Sequence, residues 1–379
     1  MDINTLRAQI DKIDDELKKI FIDRMEVSQL ISQYKKDNNL TVLDKNRERE
    51  ILARVTENTT PELEVYIKTL FMTLFSLSRS YQNAILAQGS PLADEIRKAV
   101  SETPALFPTK AVVACQGVEG AYSQIAADKL FSLPNIMYFN SFEGVFQAVE
   151  KGLCRYGILP IENSSHGSVT QVYDLMKLHN FHIVKGLKLK IDHSLLVKPG
   201  GKMAGIKEIF SHEQAIGQCS EFLEKLKGVK VTVVENTAVA AKMVAESDRA
   251  DVAALSSHNC AELYGLSDLK TVVQNNSNNY TRFICISKML EIYPGANKIS
   301  LMLSVPHRPG SLYEMISKFS VLGLNLTKLE SRPIPEKDFE FMFYFDIDAS
   351  VNSDPVIHLL CEIAASTDQF DFLGNYSEI

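Results

Sequence analysis

Ile3, Leu6, Ile10, Ile13, Leu17, Ile20, Val27, Ile31 and Tyr34 recur in alternating steps of three and four, a heptad seam. A stripe of that period specifies one long helix that needs a partner along its length. Its phase puts an apolar residue at position 24, yet Arg24 stands there. An unpaired guanidinium on a packed seam is costly, so Arg24 sets register, turns outward or meets an anion. Lys35 follows about three turns later and points the same way roughly 16 Å on, a span two long side chains can close around a small dianion. Arg7 lies roughly 25 Å from Arg24 along a straight helix and on another face. It reaches the same ligand only if the helix folds back or a second chain supplies it, which predicts an intertwined dimer with composite sites.

The rest of residues 1–88 is also helical in texture. Asp44 can cap a second helix carrying Arg47 and Glu48. "TTPEL" offers a Thr cap and puts Pro61 at the first position of a third helix, which carries Ser78 and Gln82 one turn apart. Residues 89–108 read as a linker holding at most one short helix. From about 110, β-branched runs ("AVVAC", "CRYGILP", "HIVKGLKLK", "SLLVK", "KVTVVE", "DVAAL", "RFICIS") alternate with helical ones ("YSQIAADKLF", "SFEGVFQAVEKG", "QAIGQCSEFLEKL", "TAVAAKMVAES"). That alternation predicts parallel βα units over 109–290, folded as two α/β lobes with a ligand cleft between them. "YPGAN" marks a break at 291–297, and 298–379 has the βαββαβ order of a ferredoxin-like α+β domain. The expected chain is thus multidomain, which 379 residues also favour.

A net charge of −7 argues against a global affinity for nucleic acid or anionic membrane. No apolar run reaches the roughly 18–20 residues of a membrane span. "MDINTLRAQIDKIDDELKK" has neither a signal-peptide stretch nor a transit pattern, so a cytoplasmic location is expected. The six cysteines are scattered singly, without a CxxC, and read as reduced thiols. The eight histidines form no ligand pattern, and neither metal nor cofactor is expected.

"NNYTRF" (278–283) reads as a loop entering a sheet, with the Thr281 hydroxyl beside the fixed charge of Arg282. Thr281 can donate a proton there, next to an arginine that is either an anion anchor or a salt-bridge partner. "CQGVEGAYS" places Gly117 and Gly120 between strand and helix, an anion-binding loop or a tight turn, without a nucleotide fingerprint's spacing.

Residues 3–86 resemble the small all-helical chorismate mutases of the AroQ type. Each polar position lining that family's pocket has a counterpart here: Arg7, Arg24, Lys35, Asp44, Arg47, Glu48, Ser78 and Gln82. The resemblance implies a cofactor-free rearrangement of chorismate to prephenate, driven by holding the compact conformer and placing charge. Arg7, Arg24 and Arg47 would bind the carboxylates, Lys35 and Gln82 would stabilise the ether oxygen, and Glu48 and Asp44 would hold the ring hydroxyl, with Ser78 beside Gln82. "GILPIENSSHGSV", "DHSLLV", "FSHEQAIGQCSEFL", "AALSSHNCAELYGL" and "NNYTRF" follow the order and spacing of prephenate dehydratases over about 110–288. This implies decarboxylative dehydration of prephenate to phenylpyruvate, with Thr281 as the acid and Arg282 at the substrate or in a salt bridge. Glu162, Asn163, Ser211 and Gln218 would orient substrate and Thr281, while Ser168, His212 and Gln214 cap or pack as readily. Two motifs depart from the usual forms: "CQGVEGAYS" for a Phe-Leu-Gly-Pro loop, and "SHEQ" for Ser-His-Pro-Gln.

A mutase region ahead of a dehydratase region resembles the bifunctional P-proteins of phenylalanine synthesis. Residues 298–379 resemble the ACT domains of regulated dehydratases, which implies feedback by L-phenylalanine bound between paired domains. Gly310, Ser311 and Leu312, with Glu330, Ser331, Arg332 and Pro333, match the segments that hold it; Ser311 replaces the usual Ala. The expected assembly is a homodimer with intertwined helical domains, or a tetramer built from it. Two other readings are a prephenate or arogenate dehydratase whose helical segment only dimerises, and a non-enzymatic two-lobed solute sensor.

Overall fold

The computed structural model describes residues 2–38, 40, 42–86, 90–334 and 340–379, so the expected boundary at 88/89 lies outside the described residues. The chain divides into two compact units, residues 1–101 with 301–371 and residues 102–300 with 372–379.

The first unit opens with α1 (Ile3–Asp37), α2 (Lys45–Thr56), α3 (Pro61–Leu86) and α4 (Pro91–Glu102). Asp44 caps α2 by accepting the Arg47 N–H at 3.0 Å. Pro61 opens α3, where an N–H would have no helical partner anyway. α1 and α3 run parallel: Arg24 meets Leu74, Ser28 meets Ser78 and Ser32 meets Gln82, always 50 residues apart. Those contacts involve the later part of α1. Upstream, Ile10, Ile13, Leu17 and Ile20 are each more than half exposed, so the seam is present but has no cover within this unit among the described residues. α4 is the single short helix allowed for in 89–108: Ala93, Ile96 and Ala99 repeat every three residues and give it a face to bury.

Along the second unit come β1 (Lys110–Gln116), α5 (Tyr122–Leu130), β2 (Leu133–Phe139), α6 (Phe142–Glu150), β3 (Tyr156–Asn163) and β4 (Gly167–Ser168). Then follow α7 (Thr170–Leu178), β5 (His182–Lys190), β6 (Ser194–Val197), β7 (Glu208–Ser211), α8 (Glu213–Gln218) and α9 (Ser220–Glu224). β8 (Lys230–Val233), α10 (Thr237–Glu246), β9 (Val252–Ser256), α11 (Asn259–Leu263), β10 (Ser267–Lys270) and β11 (Tyr280–Ser287) complete the two lobes. One sheet has the order β2-β1-β3-β11-β5 with β4 on β3, the other β10-β6-β9-β7-β8. The sheets are mixed rather than purely parallel. Apart from the two-residue β4, which turns back antiparallel on β3, the strand running against its neighbours in each sheet is the one arriving from the other lobe: β6 directly from β5, and β11 in return. A strand that enters without a helical crossover is free to pair antiparallel. β11 begins at Tyr280, so Thr281, expected at the end of a loop, already sits on the strand with Arg282. All six cysteines are buried and unpaired. No helix among the described residues is long and apolar enough to cross a membrane.

The remaining elements are β12 (Lys298–Ser304), α12 (Ser311–Val321), β13 (Asn325–Pro333), β14 (Phe341–Asp348), α13 (Asp354–Ser366) and β15 (Phe370–Tyr376). Their βαββαβ sequence forms a sheet of order β13-β14-β12-β15, and the division between the units falls within β12 and β15.

Gly374 has φ +145°, and a Cβ there would stand 2.3 Å from the Ile183 carbonyl oxygen. Gly374→Ala should therefore cost about 2 kcal/mol or more through overpacking, read as a fall in melting temperature; an unchanged melt would refute so close an approach.

Candidate active sites

In the helical unit, Ser28 and Ser78 share a hydrogen bond of 2.8 Å, and Gln82 Nε2 donates to Ser78 Oγ at 3.2 Å. Gln82 is buried with its Oε1 unpartnered, so an acceptor is held ready in the α1–α3 seam. Arg24 is half-buried and reaches only the Leu74 carbonyl, at 3.4 Å, with no carboxylate beside it among the described residues. Desolvation lowers its pKa from the ordinary value, the mark of a cation without its anion. Lys35 Nζ donates to the Val42 carbonyl and, with Leu40, Leu43 and Asp44, lines a hollow at the α1–α2 junction. Glu48 is paired with Arg79, a residue the motif reading did not single out, and Arg47 pairs with Glu50 at 3.0 Å on the open surface. Arg7 stands exposed on the early turns of α1, and this unit does not bring it to Arg24.

At the start of α12, Gly310 takes φ +87°, and Ser311 is buried with its hydroxyl oxygen unpartnered. Glu330 to Pro333 end β13, paired with Tyr344 to Phe341 of β14.

In the second unit, β11 lies against β3 so that Thr281 faces Asn163 and Arg282 faces Glu162. Successive strand residues point to opposite sides, so Thr281 with Asn163 and Arg282 with Glu162 occupy different faces. Thr281 is 9% exposed. Its Oγ1 accepts from Asn163 Nδ2 at 2.9 Å, and the same amide donates to Asn279 Oδ1 at 2.9 Å. Asn279 Nδ2 donates in turn to Gln218 Oε1 at 3.0 Å, which carries the network to the end of α8. Gln218 Oε1 also accepts from His193 Nε2 at 2.8 Å, and Gln218 Nε2 donates to His166 Nδ1 at 3.2 Å. His193 sits where the chain passes from β5 to β6; burial pulls its pKa down, keeping a neutral ring whose Nδ1 is buried and unpartnered. Because Thr281 accepts from Asn163, its own proton is uncommitted among the described residues.

The other expected residues fall elsewhere. Ser211 is fully buried and donates to the Leu255 carbonyl at 2.8 Å, so its hydroxyl holds β7 to β9 rather than joining the network. His212 caps α8 through Gln214 N–H, and Ser168 pairs with Glu162 across β3 and β4. Gly120 N–H is taken by Gln124 Oε1 at 2.6 Å, a tight turn rather than an open anion cradle. Arg282, expected as an anion anchor or a salt-bridge partner, has its Nε paired with Glu378 and its Nη2 donating to the buried Tyr376 Oη at 2.7 Å. Burial pushes Glu378 up, but Arg282, Lys298 and Lys188 together outweigh it and hold the carboxyl below its usual range. That pair thus adds stability above the carboxyl's unfolded pKa, lost as pH falls through the lower folded value. Sequence reasoning missed His193, Asn279 and Glu378. Asn279 lay inside the motif, His193 inside "DHSLLV", and Glu378 had no local signal.

The sequence pattern of the prephenate dehydratase family matches residues 113–290, and that of chorismate mutase type II matches residues 6–83. The fold and the polar network therefore belong to a dehydratase class in which a mutase region precedes the two lobes. A bifunctional chorismate mutase/prephenate dehydratase of Escherichia coli (strain K12) is 31% identical over 381 residues, 98% of this chain and 95% of that one. This chain belongs to the bifunctional chorismate mutase/prephenate dehydratase family. Arogenate dehydratase/prephenate dehydratase 2 of Arabidopsis thaliana is 36% identical over 276 residues, 70% of this chain and 72% of its own. Among solved structures, prephenate dehydratase from Arthrobacter aurescens in complex with L-Phe has a TM-score of 0.65 and 25% identity, covering 70% of this chain and 89% of that one. GqqA, described as a novel type of quorum quenching acylase, also has a TM-score of 0.65, with 29% identity over 71% of this chain and 98% of that chain.

Gln218→Leu removes the amide that serves Asn279, His193 and His166 together. It should destabilise the second unit by about 1–3 kcal/mol through buried polar groups left open, measured as an earlier unfolding transition; an unmoved transition would show the network to be energetically idle.

Proposed function

We propose that this chain converts chorismate to prephenate in its helical unit and prephenate to phenylpyruvate in its two-lobed unit, under feedback by L-phenylalanine. What supports the second step best is Thr281, buried, oriented by Asn163 and left with a free proton. In that step the ring carboxylate leaves as carbon dioxide, its electron pair enters the ring, and the ring hydroxyl departs as water after taking a proton. A hydroxyl is a weak acid, so it has to be placed beside the breaking C–O bond and shielded from bulk water. Asn163 fixes its oxygen, and Gln218 holds Asn279 and His193 behind it. Aromatisation supplies the drive.

For the first step, Arg24, Lys35 and Gln82 meet a dicarboxylate from the α1–α3 face, with Asp44, Arg47, Glu48 and Ser78 around the ring. Arg7 comes from a second copy, whose α1 also covers the exposed seam, giving a homodimer with intertwined helices. Domains at 1–88, 109–290 and 298–379, the last an ACT domain, complete the reading. Gly310–Leu312 and Glu330–Pro333 receive phenylalanine, the buried open hydroxyl of Ser311 offering it a polar contact. Such control requires phenylalanine to bind a less active arrangement more tightly than the active one.

Thr281→Val should abolish phenylpyruvate formation and spare chorismate consumption, and Lys35→Ala should do the reverse; Thr281→Val at wild-type rate on prephenate would refute the acid assignment. Mixed dimers offer a sharper test of the composite site. Mixing Arg7→Ala and Lys35→Ala chains should restore about a quarter of wild-type mutase activity, since half the dimers regain one composite site of two. No recovery on mixing would place Arg7 outside the site. A phenylalanine titration should lower the dehydratase rate saturably, whereas a flat response would remove the sensor.

A further inference from the structure

Taking Thr281 as the proton donor, we propose that Arg282 and Glu378 form a positioning pair for it, which makes segment 375–379 a working part of the dehydratase site. Arg282 follows Thr281 on β11 and points to the opposite face. Whatever fixes the roll of the strand at Arg282 therefore fixes the aim of Thr281. On the β5 side the ladder is regular at this point, with Arg282 opposite Lys188, but on the β3 side it is broken: Arg282 faces Glu162 and Phe283 faces Pro160, leaving Ile161 of β3 as an extra residue without a β11 counterpart. A bulge bends and loosens pairing at the point where the acid must be aimed.

The side-chain pin compensates. Arg282 donates to Glu378 and, at 2.7 Å, to Tyr376 Oη, which also shares a 2.8 Å hydrogen bond with Ser300 Oγ. Glu378 Oε1 takes Lys188 at 3.2 Å and Lys298 at 3.6 Å, so one carboxylate gathers three cations. The segment carrying it is itself tied down as an added strand along β5. Gly186 N–H donates to the Ser377 carbonyl at 2.9 Å, Ile379 N–H to the Gly186 carbonyl at 3.1 Å, and Lys188 N–H to the Ile379 carbonyl at 2.8 Å. Lys185 Nζ adds a bond to Ser377 Oγ at 2.7 Å. Gly186 allows the approach: a Cβ there would lie 3.2 Å from the Tyr376 ring and 3.3 Å from Glu378. The backbone bonds and Lys185 hold the segment to β5, and from that seat the side chains of Tyr376 and Glu378 reach the residue beside Thr281.

The test uses the full chain and follows phenylpyruvate formation and chorismate consumption on the same preparations. Glu378→Gln keeps the shape and removes the charge. It should lower kcat on prephenate about 10- to 100-fold, the scale of a small misplacement of a reacting group, with KM and chorismate turnover little changed. Glu378→Asp should recover part of the loss. The Arg282→Lys, Glu378→Gln double variant should fall no further than the worse single, because both act through one link. A wild-type kcat in Glu378→Gln overturns the proposal, as does a loss seen only in melting temperature. Should Glu378→Gln fail to fold, Tyr376→Phe deletes a single hydroxyl from the same link, and a wild-type kcat there is equally adverse. Thr281→Val run alongside separates the two ideas: if it is active the acid assignment falls, and if it is inactive beside a fully active Glu378→Gln only the positioning pair falls.

Discussion

β11 runs antiparallel between β3 and β5, and that seating brings Thr281 opposite Asn163, 118 residues away in sequence. The strand works on two sides. One face presents a hydroxyl to a network of amides and a neutral imidazole, and the other buries a guanidinium against a carboxylate. Buried polar groups are tolerable only when nearly all are satisfied, and the amides of Asn163, Asn279 and Gln218 satisfy one another in series. Among the described residues five buried side-chain atoms are left open: Gln82 Oε1 and Ser311 Oγ belong to residues read as ligand contacts, His193 Nδ1 borders the Thr281 network, and Ser256 Oγ and Asp268 Oδ1 lie outside these sites.

Local patterns declared themselves in the sequence where a few neighbouring residues decide the outcome. The heptad steps of α1, the Asp44 cap, Pro61 at the head of α3 and the βαββαβ order are all of that kind. Thr281 was misplaced into a loop because Asn278, Asn279 and Tyr280 look like a turn, while the strand's start is set by its partners β3 and β5. β2 hid behind Pro134 and Asn135, which local preference places outside strands. The expected helix at 214–226 breaks at Cys219 into α8 and α9, leaving Gln218 at the end of its element and within reach of Asn279. Arg282 could be read either way because its partner, Glu378, lies 96 residues downstream. Parallel sheets were expected from alternation alone, which carries no information about where the chain changes lobes.

The helical unit poses a different physical problem. A stripe of Ile and Leu left in water along α1 wastes the burial energy its pattern was written for, roughly 25 cal/mol per Å². Covered by a second copy, the same stripe would make mutase folding and mutase assembly one event, so that stability would depend on protein concentration. Arg24 would then be completed by the same event that buries its neighbours.

Residues 372–379 join the second unit only after the whole of 301–371 has intervened. Loop-closure entropy rises slowly with length, so the equilibrium penalty for this detour is modest. The kinetic consequence is larger. During synthesis the lobes formed by 102–300 emerge with β5 as an uncovered edge, and at ordinary elongation speeds they wait several seconds for the segment that lies along it. Until then the edge is open to pairing with a neighbouring nascent chain, a hazard that ends when 372–379 closes over it.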